Sequence, residues 1–476
     1  MNLRDFVRII VLATNRVMLF SYLNRLPYYF ALNIFIHVFS KFKEIKSIYL
    51  RHGLSEKNWV PGISDIDLTI IIDGNLSKEN NYLFLQLFWK KFEKVKKFFP
   101  MLGEADIIND LEIKNWTKFS IRGYESRNWK LLYGKKTVES NYSLNPETLS
   151  IDSLNYAITT YLEYFVPKFY SDETTRFIKK KELSRLTSKI FRYAKASLPD
   201  VFKVKNNSKF YSELLCNILK KLKSSIENNV SKVSIECDVK DISHSFHEED
   251  FNSNEINLKG ISDYKNQIAS FTISYTVSFI ILNDDLKDEE IIDCAEAIRK
   301  KLSKQKIKPI ILNKTLFEYL VRFYNPFVYS QLVGARKILL GDDLLLNIKP
   351  PDILYFKKAL LEETGNVILF PKKHSLISPQ KIQPFLLNGF TSDVNRILFL
   401  KLFLEKKILK TDFTDGIDEC KKNYFDSIKQ TEQLINECDS ADKKKLSFDT
   451  YSLLNNLTED IHKALLANDK HKEITR

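Results

Sequence analysis

The sequence predicts a mixed α+β protein: a small mixed-sheet domain, a second region of similar element order, and helical bundle segments. Two observations carry this. Between residues 41 and 145, and again between 231 and 348, short Ile- and Leu-rich runs bounded by turn residues alternate with segments of helical period. From 349 to 476 the period is helical throughout, with Ile397, Leu400 and Leu404 on one face and a charged helix from Ser447 to Ala467. Residues 1–40 read as N-terminal amphipathic helices and 146–230 as a helical domain with a basic face.

A chain of 476 residues is too long for one core, because domains usually run about 100 to 200 residues. Its 44% hydrophobic and 28% charged residues, with 12 Gly and 13 Pro, exclude wholesale disorder and low complexity. Cys216, Cys237, Cys294, Cys420 and Cys438 show no Cys-x-x-Cys spacing, which excludes a disulfide framework or a zinc knuckle and suits a reducing cytoplasm. The 73 basic against 60 acidic residues leave a charge of +13, favouring anionic partners such as nucleotides, nucleic acid or a lipid surface.

Met18 to Phe39 is rich in Leu, Phe, Tyr and Ile, yet Arg16, Asn24, Arg25, Pro27, Asn33 and His37 interrupt the region. No run reaches the roughly 18 to 20 apolar residues of a spanning helix, and the pattern lacks the apolar core and cleavage site of a signal peptide. The expectation is a pair of amphipathic helices, with contact to a membrane surface through 18–39 as an added option.

The chemistry is written between Ser47 and Asp73. Ile48, Tyr49 and Leu50 form a short apolar strand, Gly53 and Ser55 sit in a turn, and Ile66 to Ile72 reads as a second, buried strand. At its mouth stand Asp65 and Asp67, and the period of two in a strand sends both carboxylates to the same side. Two carboxylates so close are costly to keep ionised without a cation, and hard oxygen ligands select Mg2+ or Mn2+.

Gly53 precedes Asp65 by twelve residues, Pro61-Gly62 turns the chain, and Ser64-Asp65-Ile66-Asp67-Leu68 follows. This arrangement resembles the nucleotidyltransferase superfamily typified by DNA polymerase beta, whose signature is a strand, a Gly-Ser turn and an Asp-x-Asp strand. The resemblance covers roughly residues 40 to 140, and it implies a two-metal site in which the acids bind ions that bridge a triphosphate. It further implies that the turn holds the outgoing phosphates, which assigns nucleotide binding to Gly53, Ser55 and Ser64. The sequence departs from the pattern at the turn. Anchored on Gly53, the serine position is Leu54 and the hydroxyl arrives one place late at Ser55; anchored on Pro61-Gly62, the pair becomes His52-Gly53.

In the family a later strand supplies a third carboxylate. Asn80 to Phe98 reads as the intervening helix and Leu102 to Ile108 as that strand, with Glu104 and Asp106 on one face. Asp106 is the preferred third acid and metal ligand, with Glu104 as alternate. Arg127 to Gly134 reads as a helix ending on glycine.

A second copy of this order is expected further on. Ser274 to Asn283 resembles the strand of Ser64 to Asp73, and a helix from Asp288 to Ser303, a strand from Pro309 to Asn313 and the segment Arg336 to Gly341 follow. Tyr275 and Val277 replace Asp65 and Asp67, and Lys308 and Ile310 replace Glu104 and Asp106, so the copy has lost its acids.

Between the two copies, Ile151 to Tyr170 and Glu173 to Ala196 read as helices, the first capped by Ser150. Lys181, Arg185, Lys189 and Arg192 form a basic stripe on the second. In relatives such a helix offers residues to the triphosphate, so Arg185 and Lys189 are nucleotide-binding candidates. His244 and His247, beside Glu248, Glu249 and Asp250, find no further ligand at zinc spacing and read as a surface loop.

The expected function is therefore a cytoplasmic, Mg2+- or Mn2+-dependent transfer of a nucleoside monophosphate from an NTP such as ATP to a hydroxyl of a small-molecule or protein acceptor. Asp65, Asp67 and Asp106 are the catalytic residues. Nucleic acid is admitted as acceptor but not favoured, because the basic residues are diffuse. The alternative is a non-catalytic nucleotide-binding or scaffold protein of the same fold.

Overall fold

The structure, a computed structural model, describes residues 3–56, 59–119, 125–138, 146–165, 176–197, 238–239, 258, 261–274, 278–286, 288–303, 309–334, 336–411, 413–439 and 441–474. His244 and its neighbours, Tyr275, Val277 and Lys308 lie outside these. The class is mixed α and β, with two four-stranded sheets and many helices. Two compact units divide the chain: residues 1–143 with 360–408 and 417–476, and residues 144–359 with 409–416.

The first unit opens with helices α1 (Leu3–Thr14) and α2 (Met18–Phe39). Strand β1 (Ile45–Arg51) leads through a short helical turn α3 (His52–Ser55) and a loop to β2 (Ile66–Ile72). Helix α4 (Lys78–Phe98) crosses over to β3 (Leu102–Asn109), followed by α5 (Ile113–Phe119) and β4 (Lys130–Gly134). The sheet order is β3-β2-β1-β4, with β2 and β3 parallel and the other pairs antiparallel. A parallel pair needs a long crossover, which α4 supplies. Ser77 starts that helix, accepting from the Asn80 amide.

Alternation and register put Tyr49, Ile71 and Ile108 on one sheet face, where they form a core cluster with Trp116, Val138 and Ile368. Phe35 and Phe39 of α2 pack on the aromatic rings of α4, with Phe39 4.8 Å from Phe88. The C-terminal helices return to this unit: Tyr82 donates to Ser447 at 2.8 Å, Trp89 to the Lys372 carbonyl at 3.0 Å, and buried Lys372 pairs with Glu112 at 2.9 Å. Local pattern carries no signal for that return, since it is a relation between distant segments.

Three sequence expectations change. Arg127 to Gly134 is not a helix: Lys130–Gly134 is an edge strand paired to β1. Its half-exposed Leu-Leu-Tyr run shows no alternation, so period could not separate strand from helix. Gly134 has φ +83°, and a Cβ there would collide with the Lys46 carbonyl oxygen. Gly53 and Ser55 lie in a short helix instead of an open turn. Ser150 does not cap its helix, which already begins at Pro146, with proline in the first turn.

In the second unit, helix Pro146–Thr159, continued by a π-helical segment Thr160–Phe165, packs beside helix Arg176–Ser197, with Tyr156 and Tyr193 edge to face at 4.4 Å. Its sheet consists of β5 (Ile268–Ile273), β6 (Ser278–Leu282), β7 (Ile310–Asn313) and β8 (Lys337–Gly341), in the order β7-β6-β5-β8. The crossing helix Asp288–Ser303 buries Cys294, Ala295, Ile298 and Leu302 with Phe271 and Ile280.

The two sheets share strand order, strand direction and irregularities. Register shifts fall between Ile45 and Ser47 and between Ile268 and Ser270, and again at Ile48/Tyr49 and Phe271/Thr272. Ser47 pairs with Gly134 as Ser270 pairs with Gly341, both glycines having positive φ. Asn109 and Asn313, each ending the third strand, both accept from the amide three residues on, Glu112 at 2.7 Å and Leu316 at 3.0 Å. On this register Arg51 corresponds to Ser274 and Asp106 to Ile310.

Candidate functional site

The acids meet at one end of the first sheet. Arg51 on β1 is the register partner of Asp67 on β2, and Thr69 on β2 is the partner of Asp106 on β3. Partners in a sheet share a face, so Arg51, Asp67 and Asp106 stand together on the face that carries the Tyr49 cluster further along. Asp65, just before β2, is exposed, whereas Asp67 is half-buried.

Asp65 and Asp67 converge beside Gly103. A Cβ at Gly103 would lie 2.5 Å from Oδ1 of Asp67 and 2.8 Å from the Asp65 Cβ, so a residue with a side chain would fill the gap between them. The Glu104 amide donates to Oδ1 of Asp67 at 3.2 Å. The ammonium of Lys96, at the end of α4, donates to the Gly103 carbonyl at 2.8 Å, which sets a positive charge beside the acids. Glu104 itself is exposed.

Burial pushes the Asp67 carboxyl up to about 6; Arg51 opposes the rise, while Asp65 adds to it. Asp67 is therefore a carboxylate that a nearby cation would relieve. The chain's own cation is directed mainly elsewhere. Arg51 is fully buried, and its Nη1 lies 2.5 Å from Oδ2 of Asp106. Its Nε and Nη2 are buried without a hydrogen-bond partner among the described residues. Burying a guanidinium is expensive, and a single carboxylate contact offsets only part of the cost.

The turn after β1 is arranged for its own stability. The left-handed φ of +53° falls at His52 and not at Gly53, so the conformation that favours glycine is occupied by histidine. His52 Nδ1 lies 3.4 Å from the buried Glu125. The Ser55 hydroxyl donates back to the His52 carbonyl at 2.8 Å.

Ser64 is buried, and its hydroxyl accepts from the Val60 amide at 2.9 Å, shaping the loop that delivers Asp65. Tyr28 ties the same loop by donating to the Ser64 carbonyl and accepting from the Gly62 amide, each at 2.9 Å. Arg8 and Asn15 hold the carbonyls of Gly62 and Pro61.

Arg185 and Lys189 belong to the second unit, and the site described above is built from the first unit alone. All four residues of the predicted stripe are half-buried, and Lys189 lies over the Tyr156 ring at 4.8 Å.

Sequence reasoning named the four acids but missed Arg51, Gly103 and Lys96. A charged residue at a strand end is normally solvated, and only the sheet register shows that Arg51 faces Asp67. The Gly103 signal was present in the sequence, a glycine in a buried strand marking a close approach.

As to fit, the donor chemistry of Asp65 and Asp67 suits a hard divalent cation. A third ligand is not gathered in, because Asp106 is engaged by Arg51, and among the described residues no group of three or more His, Cys, Asp or Glu side chains is placed to hold a metal ion. The chain matches no protein-family model, no curated protein and no solved structure.

Proposed function

We propose that the first unit is a metal-dependent nucleotidyltransferase centre that moves a nucleoside monophosphate from an NTP to a hydroxyl of a small-molecule or protein acceptor. The observation that carries this is the convergence of Asp65 and Asp67 over the side-chain-free gap at Gly103. It is supported by the acids lying on adjacent parallel strands joined by a crossover helix.

Asp65 and Asp67 would hold Mg2+ or Mn2+, which when bound supplies charge neutralisation for a triphosphate. Asp67 must release its proton to take part, so protons compete with the cation for this carboxyl. Arg51 holds Asp106 on the same face, and Asp106 would accept the proton of the acceptor hydroxyl. The acceptor oxygen bonds to the α-phosphorus, the bond from that phosphorus to the bridging oxygen breaks, and pyrophosphate leaves. Lys96 adds positive charge beside the acids.

The second sheet supports treating these groups as one functional set. Its equivalents of Arg51 and Asp106 are Ser274 and Ile310, so the buried cation and its acid are lost together.

A second reading, nucleotide binding without transfer, is favoured by one specific feature: the Ser55 hydroxyl is spent on its own turn. Incubation with α-labelled NTPs, Mn2+ and a metabolite extract or the protein itself separates the two. Label transferred to an acceptor by wild type and not by Asp67→Asn supports the transferase. Binding without any transfer supports the scaffold.

A further inference from the structure

The helical pair α1–α2 presents an apolar surface that nothing among the described residues of the first unit covers. Twelve of the 22 large hydrophobic side chains exposed among the described residues fall between Phe6 and Phe30. The most exposed are Met18 at 91%, Leu19 at 64% and Tyr22 at 62%. The other end of α2 is the anchor: Phe35 and Phe39 are wholly buried, stacked at 4.2 Å. One half of this 22-residue helix therefore builds the core and the other half projects its apolar residues.

The surface is preformed. Asn24 of α2 donates to the Val11 carbonyl, the Thr14 hydroxyl and the Asn15 side-chain oxygen at 3.3, 3.0 and 2.8 Å, clasping the two helices together. Neither helix crosses a bilayer, since no helix among the described residues is long and apolar enough.

Charge selects the occupant. From Phe6 to Lys43 the sequence holds Arg8, Arg16, Arg25, Lys41 and Lys43 and no Asp or Glu. All of these except Arg8 are exposed. A second copy of the chain would bring the same uncompensated cations face to face, which is unfavourable. An anionic lipid surface accepts both features, taking Leu, Phe and Met side chains into the acyl boundary, Tyr rings at the headgroup level and Arg and Lys at the phosphates.

We infer that α1–α2 docks the protein on an anionic membrane surface, lying in the interface without spanning it. Because Arg8 and Asn15 of the same region hold the loop that leads into Asp65, docking sets the candidate site beside the bilayer.

The test is flotation of the full chain with vesicles of phosphatidylcholine alone and of phosphatidylcholine with roughly one-quarter phosphatidylserine, at low and high salt. Wild type is expected to float with the anionic vesicles and to be released by salt. Met18→Glu/Leu19→Glu/Tyr22→Glu is expected to bind about tenfold less or weaker still, with an unchanged melting temperature, because these side chains are exposed. Arg16→Glu, which leaves the apolar face intact, is expected to weaken anionic binding as well. The inference is overturned if wild type fails to float, if it floats equally with neutral vesicles, or if both variants float like wild type. It is also overturned if these substitutions instead dissolve a dimer or a complex with an acidic protein.

Discussion

Arg51 and Asp106 form a buried ion pair across three strands, the guanidinium of β1 reaching past β2 to the carboxylate of β3 with 2.5 Å between Nη1 and Oδ2. The pair holds a positive charge beneath Asp67 and fixes the acid proposed to receive the acceptor proton.

Removing one partner alone strands the other. Arg51→Met is expected to destabilise the protein by about 3 kcal/mol or more in denaturant unfolding, whereas Arg51→Met/Asp106→Leu should return to within about 1 kcal/mol of wild type. The double replacement approximates the second sheet, where Ser and Ile stand at these positions.

The Asp67 carboxyl titrates near 6 in the fold against an ordinary value of 3.8. Folded Asp67 therefore keeps its proton where unfolded Asp67 has lost it, and stability is given up as pH rises from about 4 through 6. Above pH 6 the metal-free Asp67→Asn variant is expected to be more stable than wild type, by up to about 3 kcal/mol. Mn2+ binding by wild type should strengthen across the same interval as the proton is displaced. A pH series of melting curves with and without Mn2+ checks both.

Gly103→Ala places a methyl group in the gap between Asp65 and Asp67. It is expected to weaken metal-dependent nucleotide binding by about tenfold or more, with far-ultraviolet circular dichroism unchanged. Titration calorimetry reads the loss.

Gly134 and Gly341 occupy equivalent bulged positions, and a Cβ at either would strike the carbonyl oxygen of the neighbouring strand, Lys46 or Ala269. Each Gly→Ala substitution should cost more than about 1 kcal/mol. The two costs should add in the double variant, since the glycines belong to different units. Chemical denaturation of the single and double variants tests this.

What was legible in the sequence follows from which interactions are local. The run Ile66 to Ile72 behind two aspartates, the helix before Leu102 and the repeated order near Ser274 all register in short windows of polarity. The strand Lys130–Gly134 did not, because an edge strand exposed on both faces has no alternation to read. Nor did the burial of Arg51, which depends on two other strands, or the return of the C-terminal helices to α4 and α5 through Ser447, Lys372 and Ile368. At the candidate site, the acids stand in short local patterns, whereas Arg51, Gly103 and Lys96 join them only through contacts that residue order does not display.

Asp65 and Asp67 are proposed to hold a metal-bound nucleoside triphosphate. Calorimetric titration of wild type and Asp65→Asn/Asp67→Asn with each NTP, in the presence of Mn2+ or of a chelator, tests it most directly. Binding is expected to require Mn2+ and to disappear in the double variant at an unchanged melting temperature or a higher one. Binding indifferent to the metal, or retained without the two carboxylates, would contradict it.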